Sequence, residues 1–147
     1  MNRSDERQPT AIAAILAGGA GLRMGSEIPK PLLKIQGRTI LDHSLSRIIA
    51  SGCAVSVILV ASGECLPAAQ SLATRTSSES GIPIRVIGGG ETRFKSGCEA
   101  IRAIRDGIAP GGGLRTADVI FFHDAARPCV PVRVIRDVVI AALRTGA

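Results

Sequence analysis

Tryptophan and tyrosine are missing from this sequence, and phenylalanine occurs only three times. Proteins that hold single-stranded nucleic acid stack bases on aromatic rings, so this scarcity argues against a nucleic-acid-binding module. No window offers the roughly eighteen consecutive apolar residues of a membrane-spanning helix, and no membrane association is expected. A secretory signal is not expected either: Asp5 and Glu6 interrupt the basic start, and the apolar stretch from Ala11 to Ala17 sits at the short limit of a signal core. Cys53, Cys65, Cys98 and Cys129 contain no CxxC pair and no metal-ligand spacing. They read as buried free thiols in a reducing compartment, which places the chain in the cytoplasm.

What is present is a globular composition, with 46% hydrophobic and 20% charged residues in a chain of 147. That length suits one domain with a sizeable core and is too short to suggest two. Residues 11–147 are expected to form that domain, behind a flexible tail over 1–10. The net charge of +6 favours anionic partners without separating RNA from a nucleotide.

Short apolar runs alternate with segments of helical period. "AIAAIL" at 11–16, "VSVILVA" at 55–61, "IPIRVIG" at 82–88 and the start of "DVIFFHDAARP" read as strands. The second is apolar on both parities, as in a strand buried on both faces. "TILDHSLSRIIA" at 39–50 reads as a helix in which Thr39 and Asp42 fit a capping box and His43 is structural. A short helix is expected over Cys65–Ala73, followed by "TRTSSESG" as a polar surface loop. A further helix runs from about Arg93 to Asp106, with Phe94, Cys98, Ile101 and Ile104 on one side. The last begins at Pro131, whose ring suits a first turn, and stops before Gly146. Arg102, Arg105, Arg133, Arg136 and Arg144 read as solvated helix faces. Strands alternating with helices predict an α/β sandwich with a mostly parallel sheet, whose ligand site lies at the carboxyl ends of the strands.

Three loops leave those strand ends: "AGGAGLRMG", "GGGETRFKS" and "HDAARP". The first is not a P-loop, because no Gly-Lys-Ser/Thr occurs in the chain. Nor is it a dinucleotide fingerprint, because Met24 stands where the third glycine belongs. It remains a loop whose bare backbone approaches an anion closely, with Arg23 and Lys30 as candidate cations. In "HDAARP", Asp124 and Arg127 have the spacing to pair with each other, and His123 lacks a second ligand for a metal.

"LAGGAGLRMGSEIPKPLL", "GGGETRFKS" and "HDAARP", in that order, resemble the 2-C-methyl-D-erythritol 4-phosphate cytidylyltransferase family of nucleotidyltransferases. The resemblance implies a Rossmann-like three-layer α/β/α sandwich. It also implies transfer of CMP from CTP to a polyol phosphate, with release of pyrophosphate and a requirement for Mg²⁺. By the same resemblance Arg23 and Lys30 stabilise the transition state, and Ala17, Gly18, Gly19 and Gly21 wrap the cytosine and triphosphate. Gly90, Glu91 and Ser96 contact base and ribose, although the family more often has Asp where Glu91 stands. Asp124 and Ala125 lie on the ribose and metal side, with Asp124 as metal ligand, and Arg127 braces the loop. Ribitol-5-phosphate cytidylyltransferases are the nearest alternative, sharing the first loop but differing at "HDAARP". Family members are homodimers that continue past Ala147 with the acceptor-binding cations and a dimerisation arm. The expectation is therefore a truncated chain with the CTP half of the site, and a nucleotide binder without turnover is the competing reading.

Overall fold

A computed structural model describes residues 8–18, 28–108 and 113–146. Among the described residues, six strands and four helices run in the order β1 (Ala11–Ala17), β2 (Lys34–Ile35), β3 (Arg38–Thr39), α1 (Ile40–Ala50), β4 (Ala54–Ala61), α2 (Cys65–Ser80), β5 (Ile84–Gly88), α3 (Arg93–Gly107), β6 (Val119–Asp124) and α4 (Val132–Thr145). A single 3₁₀ turn, Lys30–Leu32, precedes β2. The four long strands form one parallel sheet in the order β5-β4-β1-β6, and β2 pairs with β3 as a small antiparallel hairpin. The expected three-layer α/β/α sandwich is what the chain forms.

The layers follow from alternation along the two central strands. Ala13, Ile15 and Ala17 of β1, with Val57, Leu59 and Ala61 of β4, join Leu41, Leu45 and Ile48 of α1 and Ala69 and Leu72 of α2 in one buried cluster. The alternate residues, Ile12, Ala14, Leu16, Ile58 and Val60, pack on the opposite face against Ala100 and Ile104 of α3. Every residue of β1 is buried, because it is central and covered on both sides.

Two expectations fail in instructive ways. "TRTSSESG" is not a loop: α2 continues through Ser80 and ends where Gly81 takes a left-handed conformation, φ 68°. Two of the hydroxyls that suggested a loop are absorbed by the helix, since Thr74 and Ser80 each donate to the carbonyl four residues back, as Ser71 does earlier in the helix. The buried side of α3 is also rotated from the expected one. Ser96, Ala100, Ile104 and Gly107 face inward, whereas Phe94 is 80% and Ile101 52% exposed.

Smaller corrections concern single residues. Thr10 belongs to the fold and not to a tail, because its amide and hydroxyl both bond Asp118, at 2.9 and 2.8 Å; residues 1–7 lie outside the described residues. Arg136 is not merely solvated, since its Nε donates to the Ser51 carbonyl at 2.7 Å and ties α4 to the end of α1. Pro131 stands immediately before the first turn of α4. Cys53 and Cys65 are buried free thiols, but Cys98 is half-buried and Cys129 exposed. His43 is structural as expected, with Nε2 2.9 Å from the Ile35 carbonyl of the hairpin.

Thr39 caps α1 by accepting from the Asp42 amide at 3.1 Å. The Asp42 carboxylate does not complete a reciprocal box; it receives Arg38 at 2.6 Å and Arg75 of α2 at 2.9 Å. The Arg38 hydrogen bond holds this buried carboxyl below the usual carboxylate range against the upward push of burial, and Arg75 adds to the effect. A folded-state value below the unfolded one means that the contribution is present above about pH 3.9 and is lost as pH falls through that value towards the folded one. Asp42→Asn is therefore expected to cost about 1–3 kcal/mol at neutral pH, with the deficit shrinking near pH 3. Thermal melts at the two pH values test this, and an equal deficit at both would remove the ionised carboxylate from the account.

Candidate functional site

The carboxyl ends of the four parallel strands form one rim. Register pairs Leu16 with Asp124, Ala17 with Ala61, and Ala61 with Gly88. The chain builds outward from β1 to β4 and β5, then α3 carries it back to β6 on the other side of β1. Strand order reverses there, which opens the crevice where α/β sheets take their ligands.

At the β1 end, Ala17 is buried and Gly18 follows with little room beside it. A Cβ on Gly18 would stand 3.1 Å from Ser62 Oγ and 3.8 Å from Ser96 Oγ. At the β5 end the constraint is stricter, because a Cβ on Gly90 would lie 2.5 Å from the Lys95 Cβ. Only glycine fits that position without moving the first turn of α3. Ser96, fully buried, closes the loop onto that turn: its Oγ accepts from the Gly90 amide at 3.1 Å and lies 3.3 Å from the Gly90 carbonyl. Thr92 caps α3 by accepting from the Lys95 amide at 3.1 Å, and the exposed Glu91 pairs with Lys95. Ser96 thus shapes the glycine loop from beneath, while Glu91 is turned along the helix.

The β6 end is tied to β1 through Ala125. Its amide donates to the Leu16 carbonyl at 3.0 Å, and its own carbonyl accepts from the buried Ser44 hydroxyl at 2.7 Å. Beside it, Asp124 is gripped from two directions. Arg93 Nε donates to Oδ1 at 2.9 Å, and Arg127 Nε lies 3.3 Å from Oδ2. The expected Asp124–Arg127 pair is present, and Arg93 is a functional candidate that the sequence reading missed. A signal for it existed, because a cation in the first turn of a helix opposes the helix dipole and needs a carboxylate partner. His123 Nε2 donates to the Arg127 carbonyl at 3.1 Å, and burial pushes the imidazole pKa below its ordinary value.

Arg93, Phe122, His123, Asp124, Arg127 and Pro128 line an open groove of about 590 Å³. A groove of about 630 Å³ between α1 and α2 lies elsewhere, and its Arg38 and Arg75 are engaged by Asp42. Lys30 is exposed at the start of the 3₁₀ turn, between Pro29 and the buried Pro31. Gly19, Gly21 and Arg23 lie outside the described residues.

The described residues hold no preformed cluster of metal ligands. No three His, Cys, Asp or Glu side chains converge among the described residues, and both oxygens of Asp124 face guanidinium groups. Mg²⁺ is commonly held by one or two carboxylates together with substrate phosphates, so its binding does not require a preformed cluster of protein ligands. Among the described residues no helix is long and apolar enough to cross a membrane.

Known proteins share both the sequence pattern and the fold. The chain is 33% identical over 147 residues to a 2-C-methyl-D-erythritol 4-phosphate cytidylyltransferase of Thermobifida fusca, covering 100% of this chain and 55% of the relative. It is 38% identical over 117 residues to the protein of that name from Leptospira interrogans, covering 79% and 44%. The chain spans about half the length of the curated relatives it matches. A solved 4-diphosphocytidyl-2C-methyl-D-erythritol synthase from Anaerococcus prevotii shares the fold, with TM-score 0.66 and 20% identity over 94% of this chain and 52% of that one. With Gly18, Gly90 and Asp124 at one rim of the sheet and a family model matching residues 11–147, the chain belongs to the 2-C-methyl-D-erythritol 4-phosphate cytidylyltransferase family.

Proposed function

We propose that this chain carries the nucleotide-binding half of a cytidylyltransferase that moves CMP from CTP to 2-C-methyl-D-erythritol 4-phosphate. The observation that carries this reading is the convergence of Gly18, Gly90 and Asp124, far apart in sequence, on one rim of the parallel sheet in a chain of this family. In this reading a phosphate oxygen of the acceptor attacks the α-phosphorus of CTP, the bond to the bridging oxygen breaks, and pyrophosphate leaves. The attacking phosphate is already ionised, so no general base is required and the work is positioning and charge stabilisation. The backbone at Gly18 and Gly90 approaches the nucleotide, Ser96 holds the second loop in shape, and Arg23 with Lys30 meets the charge developing on the non-bridging oxygens.

Mg²⁺, which the family resemblance implies, has no preformed protein site among the described residues, and no step here passes through it. The free thiols of Cys53, Cys65, Cys98 and Cys129 support a cytoplasmic setting, where thiols stay reduced. The test is pyrophosphate release from CTP with a panel of polyol phosphates, together with melting temperatures in each nucleotide. CTP is expected to raise the melting temperature more than ATP, GTP or UTP, because a ligand that binds only the native state stabilises it by mass action. An equal or absent shift with all four would sink the cytidylyl assignment. Binding of CTP without pyrophosphate release on methylerythritol phosphate would leave a nucleotide binder without turnover.

A further inference from the structure

We propose that Ser44 is a positioning residue for the nucleotide site: from the buried face of α1 it fixes the turn that follows β6 against the end of β1, so that the rim is shaped before a ligand arrives. The inference deepens the cytidylyltransferase reading and rests on it only for the identity of the ligand.

Three observations carry it. Ser44 is fully buried, and its hydroxyl donates to the Ala125 carbonyl, 81 residues away, at 2.7 Å. Hydroxyls elsewhere in the helices are satisfied locally, since Ser71, Thr74, Ser80 and Thr145 bond the carbonyl four residues back. Ser44 instead reaches off its helix to a strand end, as Ser96 of α3 does to the Gly90 loop.

The peptide it holds is committed on both sides. Ala125 has no exposed surface; its amide donates to the Leu16 carbonyl of β1 at 3.0 Å while its carbonyl is held by α1. That carbonyl shares a rigid plane with the Ala126 amide, so the Ser44 hydroxyl sets the direction in which the chain leaves β6. Two residues on, the Arg127 amide closes the turn on the Asp124 carbonyl at 3.0 Å. Without the hydroxyl the Ala125 carbonyl is buried and unpaired, and turning that peptide towards water relieves the penalty at the expense of the rim's shape.

The third observation is that α1 also holds the segment carrying Lys30. The Ile40 amide donates to the Leu33 carbonyl at 2.9 Å, the Leu33 amide to the Lys30 carbonyl at 3.2 Å, and His43 Nε2 lies 2.9 Å from the Ile35 carbonyl. One helix thus sets the Lys30 segment and the β1 and β6 ends in register. A rim fixed in advance reduces the ordering that binding must otherwise impose.

The experiment compares Ser44→Ala and Ser44→Cys with Ser51→Ala in the whole chain. Ser51 is the matched control, because it is equally buried and its hydroxyl donates to the Ile48 carbonyl at 2.6 Å, yet it stands at the far end of α1 beside Cys53, which bonds the start of β1. Isothermal titration with CTP and with ATP, well below every melting temperature, reads affinity; amide hydrogen exchange reads the rim. Both alanine variants are expected to melt earlier. Only Ser44→Ala is expected to weaken CTP about three- to tenfold and to speed exchange at the Ala125 and Arg127 amides. Ser44→Cys, with similar volume and a weak donor, is expected to fall between wild type and alanine, and it carries the comparison if the alanine variant does not fold. Unaltered CTP affinity in the Ser44 variants, or an equal loss in Ser51→Ala, would reduce Ser44 to a stability role and overturn the proposal. A wild type that binds neither nucleotide would overturn it together with the cytidylyl reading. If ATP binds as tightly as CTP and Ser44→Ala weakens both, the cytidylyl reading falls and the positioning role stands.

Discussion

Lys30→Ala and Arg23→Ala are each expected to lower the rate of pyrophosphate release from CTP by about 10²–10³-fold while changing CTP affinity little. The asymmetry follows from where the charge appears. In the ground state the triphosphate already carries its charge, and other contacts share it. As the acceptor oxygen approaches, negative charge grows on the non-bridging oxygens of the α-phosphorus, and a fixed cation there gains more in the transition state than in the bound substrate. Lys30 is suited to that part because its backbone is constrained by Pro29 and Pro31 while its side chain stays exposed. The same exposure makes the substitution a clean one, since removing an exposed side chain leaves the core intact. Wild-type turnover in either variant would remove that residue from catalysis. A loss confined to KM would reassign it to binding the triphosphate uniformly in both states.

Much of the architecture was legible because local and global signals agree. β1 and β4 are apolar on both parities, and each proves to be a central strand with α1 and α2 on one face and α3 on the other. The strand ends before Gly18, Gly89 and Ala125 were legible for a related reason: glycine or charged residues directly after an apolar run mark where a strand stops. The failures share a different cause, which is that side-chain identity does not reveal partners distant in sequence. The end of α2 looks like a loop because its hydroxyls suit loops, yet Thr74 and Ser80 bond back along the helix before Gly81 ends it. The phase of α3 was misjudged by taking Phe94 and Ile101 as core, whereas the helix packs on β1, β4 and β5 through the smaller Ser96, Ala100 and Gly107 with Ile104. Arg93 was passed over because its partner Asp124 lies 31 residues away, although its place in a helical first turn asks for one.

Leu59→Ala is expected to cost about 3 kcal/mol and to lower the melting temperature by about 10 °C, whereas Phe122→Ser should leave it nearly unchanged. Both positions hold large apolar residues in parallel strands, and only packing separates them. Leu59 has no exposed surface and lies in the cluster that joins β1, β4, α1 and α2. Truncating it leaves a cavity that the close-packed strands on either side cannot collapse to fill. Phe122 stands on β6, the edge strand of the described sheet, with 40% of its surface exposed. Ile120 on the same strand is 43% exposed, and Phe94 and Ile101 extend the exposed apolar set on α3. An edge strand with apolar residues in contact with water favours self-association, so Phe122→Ser is also expected to reduce aggregation as the protein is concentrated. Calorimetry of the two variants, with light scattering across a concentration series, reads both effects. A melting temperature for Phe122→Ser as low as that of Leu59→Ala would show that the β6 face is packed in solution.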